Sequence, residues 1–278
     1  MFATIWRSVL AASLLLAAAR GSSAGPIAYV VDSSNNLGTL ELDTGAFHRV
    51  GTVATALDSM GRPSRLFAMG FGADGMLYGV DNRVGDLYRI DPATAATTDL
   101  GNTGSRAVGG GAGPGGDLYF LYFFIPSTLR QIDLPGPASS LIGSIGFEGD
   151  GSLAYDGRGS FYATEFGTEM LYRIDPATGA SVLVGSLGLP PGSEGVGAAV
   201  FVDGVLYGFT GNNTIVMIDV ATGASTYVAD IQTPGAFIGA AAVPWSTAVP
   251  EPSSIVSLGV GLLVGLGFVG RRLGRRAG

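Results

Sequence analysis

An aliphatic residue followed by Asp recurs at Leu42-Asp43, Ile90-Asp91, Ile132-Asp133, Ile174-Asp175 and Ile218-Asp219, with spacings between the aspartates of 48, 42, 42 and 44 residues. A tyrosine precedes each copy, at Tyr29, Tyr78, Tyr119, Tyr162 and Tyr207, and a turn follows, as in Asp43-Thr44-Gly45, Pro176-Ala177-Thr178-Gly179 and Val220-Ala221-Thr222-Gly223. A unit this small cannot bury its apolar face alone, so neighbours must stack. A period just above forty residues, with four strands in each copy, is the sequence mark of a propeller blade.

The clearest copy predicts strands at 66–73, 76–80, 87–90 and 97–100, separated by Asp74-Gly75 and by segments 82–85 and 91–95, all with turn chemistry. The last copy gives 196–202, 205–209, 215–218 and 226–229. The 46 glycines are spread along the chain, which points to many tight turns rather than to disorder. The first copy supplies only three strands, 27–31, 39–42 and 47–53, whereas a surplus apolar run, 237–243, follows the last. If that run completes the first copy, the fold is all-β: a five-bladed propeller with no sheet edge at the junction. An open solenoid would need capping units, and none is visible.

The two ends read differently. Residues 1–24 have the three parts of a secretory signal: Arg7, an apolar run at 9–19, and small residues at Ser22-Ser23-Ala24. Cleavage by signal peptidase is expected after Ala24, with Ala17-Ala18-Ala19 an equally legal site. A retained signal helix is the alternative, although its apolar run is short for a span. At the other end an apolar stretch of sixteen residues, 255–270, makes a helix of about 24 Å against a hydrocarbon core of about 30 Å. Ser253 and Ser254 extend this marginal span, and Arg271 and Arg272 can snorkel at its end. The cluster Arg271, Arg272, Arg275 and Arg276 should stay cytoplasmic, which puts everything before it across the membrane. The pair Gly261-x-x-x-Gly265 leaves a narrow helix face suited to another membrane helix.

The order Val249-Pro250-Glu251-Pro252, apolar helix, arginine cluster resembles the PEP-CTERM sorting signal over residues 249–278. The resemblance implies recognition through Pro250, Glu251 and Pro252 by an exosortase, a membrane-embedded cysteine protease. It also implies cleavage near the motif and delivery of the body to the cell surface or exopolysaccharide matrix. The host is then a Gram-negative-type bacterium, and the protein crosses its inner membrane and is anchored there transiently. A permanent single-span anchor is the alternative. The expected domains are a signal peptide at 1–24, a propeller at 25–246 and a sorting segment at 247–278. The body resembles bacterial repeat propellers built on a Leu-Tyr-x-Ile-Asp-Pro-x-Thr-Gly unit, seen at Leu87-Tyr88-Arg89-Ile90-Asp91-Pro92 and Leu171-Tyr172-Arg173-Ile174-Asp175-Pro176-Ala177-Thr178-Gly179. Enzymes, lectins and scaffolds share that architecture.

Catalytic chemistry is sparsely supplied. No cysteine is present and His48 is the sole histidine, so a nucleophilic triad would have to use a residue expected on an outer strand. Glu165 and Glu169, in one strand connection, are the candidate acids for glycoside hydrolysis. The repeated aspartates suit turns better than calcium, because one per blade spreads them around the ring. The run Tyr119-Phe120-Leu121-Tyr122-Phe123-Phe124 is expected to pack, with sugar stacking the alternative. The glycine-rich stretch 109–116 lacks the Gly-Lys-Ser/Thr ending of a phosphate loop and is expected to be an inner strand and turn.

Charge narrows the partners. All 15 positive side chains are Arg, and removing the six terminal ones and Glu251 leaves 9 Arg against 21 acids in residues 25–250. Such a body repels nucleic acid and anionic lipid. The sequence therefore points to a binding or scaffolding module for extracellular polysaccharide, with no catalytic set, cofactor or metal site expected. The alternative is a secreted carbohydrate-active enzyme using paired carboxylates.

Overall fold

The computed structural model describes residues 25–122, 127–189, 192–232 and 235–242. The chain divides after Ala242 into two compact units, and the second, with the expected membrane helix, lies outside the described residues, as does the expected signal helix. Among the described residues no helix is long and apolar enough to cross a membrane.

Twenty strands make up the described body. They are β1 (Ile27–Asp32), β2 (Asn36–Glu41) and β3 (Phe47–Thr52); β4 (Leu66–Phe71), β5 (Leu77–Asp81), β6 (Asp86–Ile90) and β7 (Thr97–Asn102); β8 (Ala107–Ala112), β9 (Leu118–Tyr122), β10 (Thr128–Ile132) and β11 (Ser139–Ser144); β12 (Leu153–Tyr155), β13 (Phe161–Glu165), β14 (Met170–Ile174) and β15 (Ser181–Ser186); β16 (Val196–Val202), β17 (Val205–Thr210), β18 (Thr214–Ile218) and β19 (Ser225–Asp230); and β20 (Phe237–Ala241). Each group of four is an antiparallel meander, and β20 pairs with β1 to head the first. The second and third meanders touch through one parallel bridge between Ala68 and Gly110. The result is an all-β, β-propeller-like body.

Sequence pattern explains the layering. Second strands are mostly buried, Leu77–Asp81 throughout, because neighbouring sheets cover both faces and alternation is lost. Outer strands carry the exposure instead, with Leu141, Val182, Leu183 and Tyr227 facing solvent. The innermost strands place glycines where they approach one another, and a Cβ on Gly109 would lie 2.3 Å from the Gly151 carbonyl oxygen. The stretch 109–116 is thus the inner strand β8 and a 3₁₀ turn, Pro114–Gly116.

Those inner strands contact one another in a circuit: β20 with β4, β4 with β8, β8 with β12, β12 with β16, and β16 with β20. Together they line an axial gap too narrow to admit water. Phe237 of β20, only 1% exposed, packs its ring 5.4 Å from Phe47 of the first meander and 5.9 Å from Phe209 of the fifth. Truncating such a buried ring costs about 3–5 kcal/mol.

Strand limits differ from expectation by up to three residues, and β2 and β4 show why. β2 starts at Asn36 rather than 39, because the Asp32 carboxylate binds the N–H groups of Ser34 and Asn36 at 2.8 and 2.9 Å and tightens the hairpin. β4 ends at Phe71, since Gly72 already bonds across the turn to Met76.

Candidate functional site

The repeated aspartates organise turns. The Oδ1 atoms of Asp91, Asp175 and Asp219 each accept the N–H two residues on, at 2.8 Å. The Asp219 carboxyl is held below its ordinary range, first by the Ala221 N–H and then by the Thr222 hydroxyl. Asp133 differs, accepting instead from the Gln131 side chain at 3.0 Å. Among the described residues no group of His, Asp or Glu is arranged to hold a metal ion.

The repeat tyrosines Tyr78, Tyr119, Tyr162 and Tyr207 are buried, and desolvation pushes their hydroxyls up. Tyr119, Phe120 and Leu121 are buried in β9, with Tyr119 packed 4.9 Å from Phe161. That part of the aromatic run packs, and Phe123 and Phe124 lie outside the described residues.

His48 stands on the outer strand β3 with its side chain 64% exposed, and its Nε2 lies 3.3 Å from Glu41 Oε1. Glu165 ends β13, where its Oε2 accepts from the hydroxyls of Thr168 and Tyr172. Glu169, at φ 56°, donates its N–H to the Glu165 carbonyl at 2.9 Å and closes the same turn.

Sequence reasoning missed the family to which Glu165 belongs. Asp32, Asp81 and Glu165 each stand three residues after a repeat tyrosine, at the tip of the second strand. Asp81 is fully buried and accepts from the N–H groups of Arg83, Val84, Gly85 and Asp86 and from the Tyr88 hydroxyl. The three-residue offset was the signal available.

Beside Asp32 and Asp81 opens a cleft of about 570 Å³ between the first two meanders, lined by the β1–β2 turn, the end of β3, segment 62–65 and Arg83 of the β5–β6 turn. The β3–β4 connection forms its wall and is pinned at three points. Asn35, buried at φ 59°, donates from Nδ2 to the Ser64 carbonyl at 2.7 Å and accepts the Leu66 N–H at 3.1 Å. The Ala56 N–H donates to the Tyr88 hydroxyl at 2.9 Å. Asp58 receives Arg62 and Arg83 on one carboxylate oxygen, both at 2.8 Å. Backbone N–H donation from Arg62, helped by Met60 and both guanidinium groups, holds the Asp58 carboxyl well below the usual range.

A propeller-like body joined to a C-terminal sorting segment defines a class of exported, surface-directed protein. In this chain residues 248–276 match the PEP-CTERM protein-sorting motif, so it carries the segment that marks a protein for exosortase processing. Pro250, Glu251, Pro252 and the arginine cluster fall within that match, outside the described residues; Ala24 also lies outside them. No curated protein matches the sequence. The fold is similar to a chain of a nidogen/laminin complex, at TM-score 0.52 and 11% identity over 79% of this chain and 98% of that one. It is also similar to a virginiamycin B lyase from Staphylococcus aureus, at TM-score 0.45 and 18% identity over 77% and 72%.

Proposed function

We propose that this is an exported protein processed by an exosortase near Pro250-Glu251-Pro252, whose closed five-bladed β-propeller acts as a binding or scaffolding module at the cell surface or in the exopolysaccharide matrix. The match of residues 248–276 to the sorting motif carries this reading, because it gives the body an extracytoplasmic destination. Signal peptidase removes residues 1–24 at Ala24, the propeller spans 25–246, and the segment 247–278 holds the chain in the inner membrane until cleavage, with Arg271, Arg272, Arg275 and Arg276 inside. Five blades and closure by β20 are supported by the circuit of inner strands.

Binding is favoured over hydrolysis by the chemistry of the candidate acids. Glu165 is engaged by Thr168 and Tyr172 within its own hairpin, the same tip position that Asp32 and Asp81 use to order theirs. The cleft beside Asn35 and Arg83 offers a concave surface for a ligand. The test is a pull-down of exopolysaccharides by the full-length chain in detergent. Retention of at least one polymer is expected, and retention of none contradicts the binding part.

A further inference from the structure

We infer that the cleft between the first two meanders binds an acidic sugar, its carboxylate held by Arg65 with Arg62 and Arg83, and its hydroxyls held by the Ser side chains of the lining. The inference deepens the binding reading above and rests on it.

Charge is the first support. Three of the nine arginines in residues 25–250 line this one cleft, in a body with 21 acids. Arg62 and Arg83 share the single Asp58 carboxylate, while Arg65 is exposed and forms no ion pair among the described residues. The acids behind the lining are occupied. Asp32 accepts the N–H groups of Ser34 and Asn36, and Asp81 those of four successive residues. The lining itself thus presents three arginines and no acid, with the carboxylates of Asp32, Asp58 and Asp81 turned to partners within the fold.

Unfilled hydrogen-bonding capacity is the second support. Ser64 lines the cleft at 0% exposure, and its hydroxyl has no partner; the buried Nε of Arg83 has none either. Buried polar atoms left so are costly unless something satisfies them. Guanidinium groups pair with planar carboxylates in a two-pronged geometry, and the hydroxyls of Ser33 and Ser34 add donors and acceptors for a polyol. At about 570 Å³ the cleft has the size of an ordinary small-ligand site, roughly 300–1,000 Å³. A long polyanion such as nucleic acid would run beyond the cleft onto the acidic body on either side, which a short acidic oligosaccharide does not.

Isothermal titration of the full-length chain in detergent with oligogalacturonate, and with the same oligosaccharide reduced to neutral galactose units, tests this. The acidic form should bind at least about tenfold more tightly, and Arg65→Ala should remove about tenfold or more of that affinity, the range for a hydrogen bond to a charged group. Arg65→Lys should recover part of it, and Arg106→Ala, on an exposed site outside the cleft, should change nothing. Equal affinity for the two oligosaccharides, or an Arg65→Ala variant that binds as well as the parent, overturns the acidic-sugar assignment. Inorganic phosphate binding as tightly as oligogalacturonate overturns the sugar part. Any of these results can coexist with polymer retention in the pull-down, so this failure is distinguishable from failure of the binding reading.

Discussion

The backbone N–H of Gln232 donates to the carbonyl oxygen of Gly45 at 3.0 Å, and the Gln232 side chain reaches the Thr44 carbonyl at 3.3 Å. These bonds tie the end of the fifth meander to the turn of the first. The same kind of seat recurs inside the body, where a Cβ on Gly185 of β15 would lie 2.1 Å from the carbonyl oxygen of Thr222 in the next meander's turn.

Gly45→Val should therefore strain the junction. Gly45 sits at φ 70°, and its Cβ would lie 2.0 Å from the Asp230 carbonyl oxygen. A β-branched residue is a steric outlier at such a φ, so the loss should exceed about 3 kcal/mol. For a body of this size that lowers Tm by about 6–12 °C. Gly75→Ala is the control, because Gly75 has φ 75° but nothing within 4 Å, and should cost only about 1–2 kcal/mol. Thermal unfolding followed by circular dichroism reads both; equal losses would contradict a closed junction.

Acid should loosen the body through depressed carboxyls. The Asp58 and Asp219 carboxyls both lie below their ordinary values in the fold. Their stabilisation is present above the unfolded value, about 3.9, and is lost as pH falls through and below it. Urea midpoints should fall on acidification below about pH 5. Asp58→Asn should be less stable than the parent at pH 7 and show a shallower acid decline. An unchanged pH profile in that variant would assign the decline elsewhere.

A double substitution, Glu165→Gln with Glu169→Gln, addresses the enzymatic alternative. If these acids serve the turn, polysaccharide retention is unchanged and no glycosidase activity is present to lose. Turnover in the parent that disappears in the double variant would install the pair as catalytic carboxylates.

Much of the fold is legible in local chemistry because each copy repeats it. Tyr78, Tyr119, Tyr162 and Tyr207 mark buried second strands, and Asp91, Asp175 and Asp219 mark turns whose hydrogen bonds span two residues. The surplus run after the last copy pairs with β1 because Phe237 has Phe47 and Phe209 to pack against. The cleft is illegible for the opposite reason. Asn35, Ser64 and Arg83 lie in three different connections, and only the folding of the β3–β4 segment onto two neighbouring turns brings them together. Within the sequence each is an ordinary loop residue. Asp32 and Asp81 are masked by the more conspicuous aspartate repeat at Asp43 and Asp91.

Exosortase processing is read out by the mass of the mature chain in cells with and without the protease. Loss of the segment after the Pro250-Glu251-Pro252 motif is expected when the protease is present, and its retention when the protease is deleted or when Pro250, Glu251 and Pro252 are all replaced by Ala. An identical C-terminal mass in all of these cells, with residues 253–278 still attached, would contradict processing and leave a permanently anchored protein.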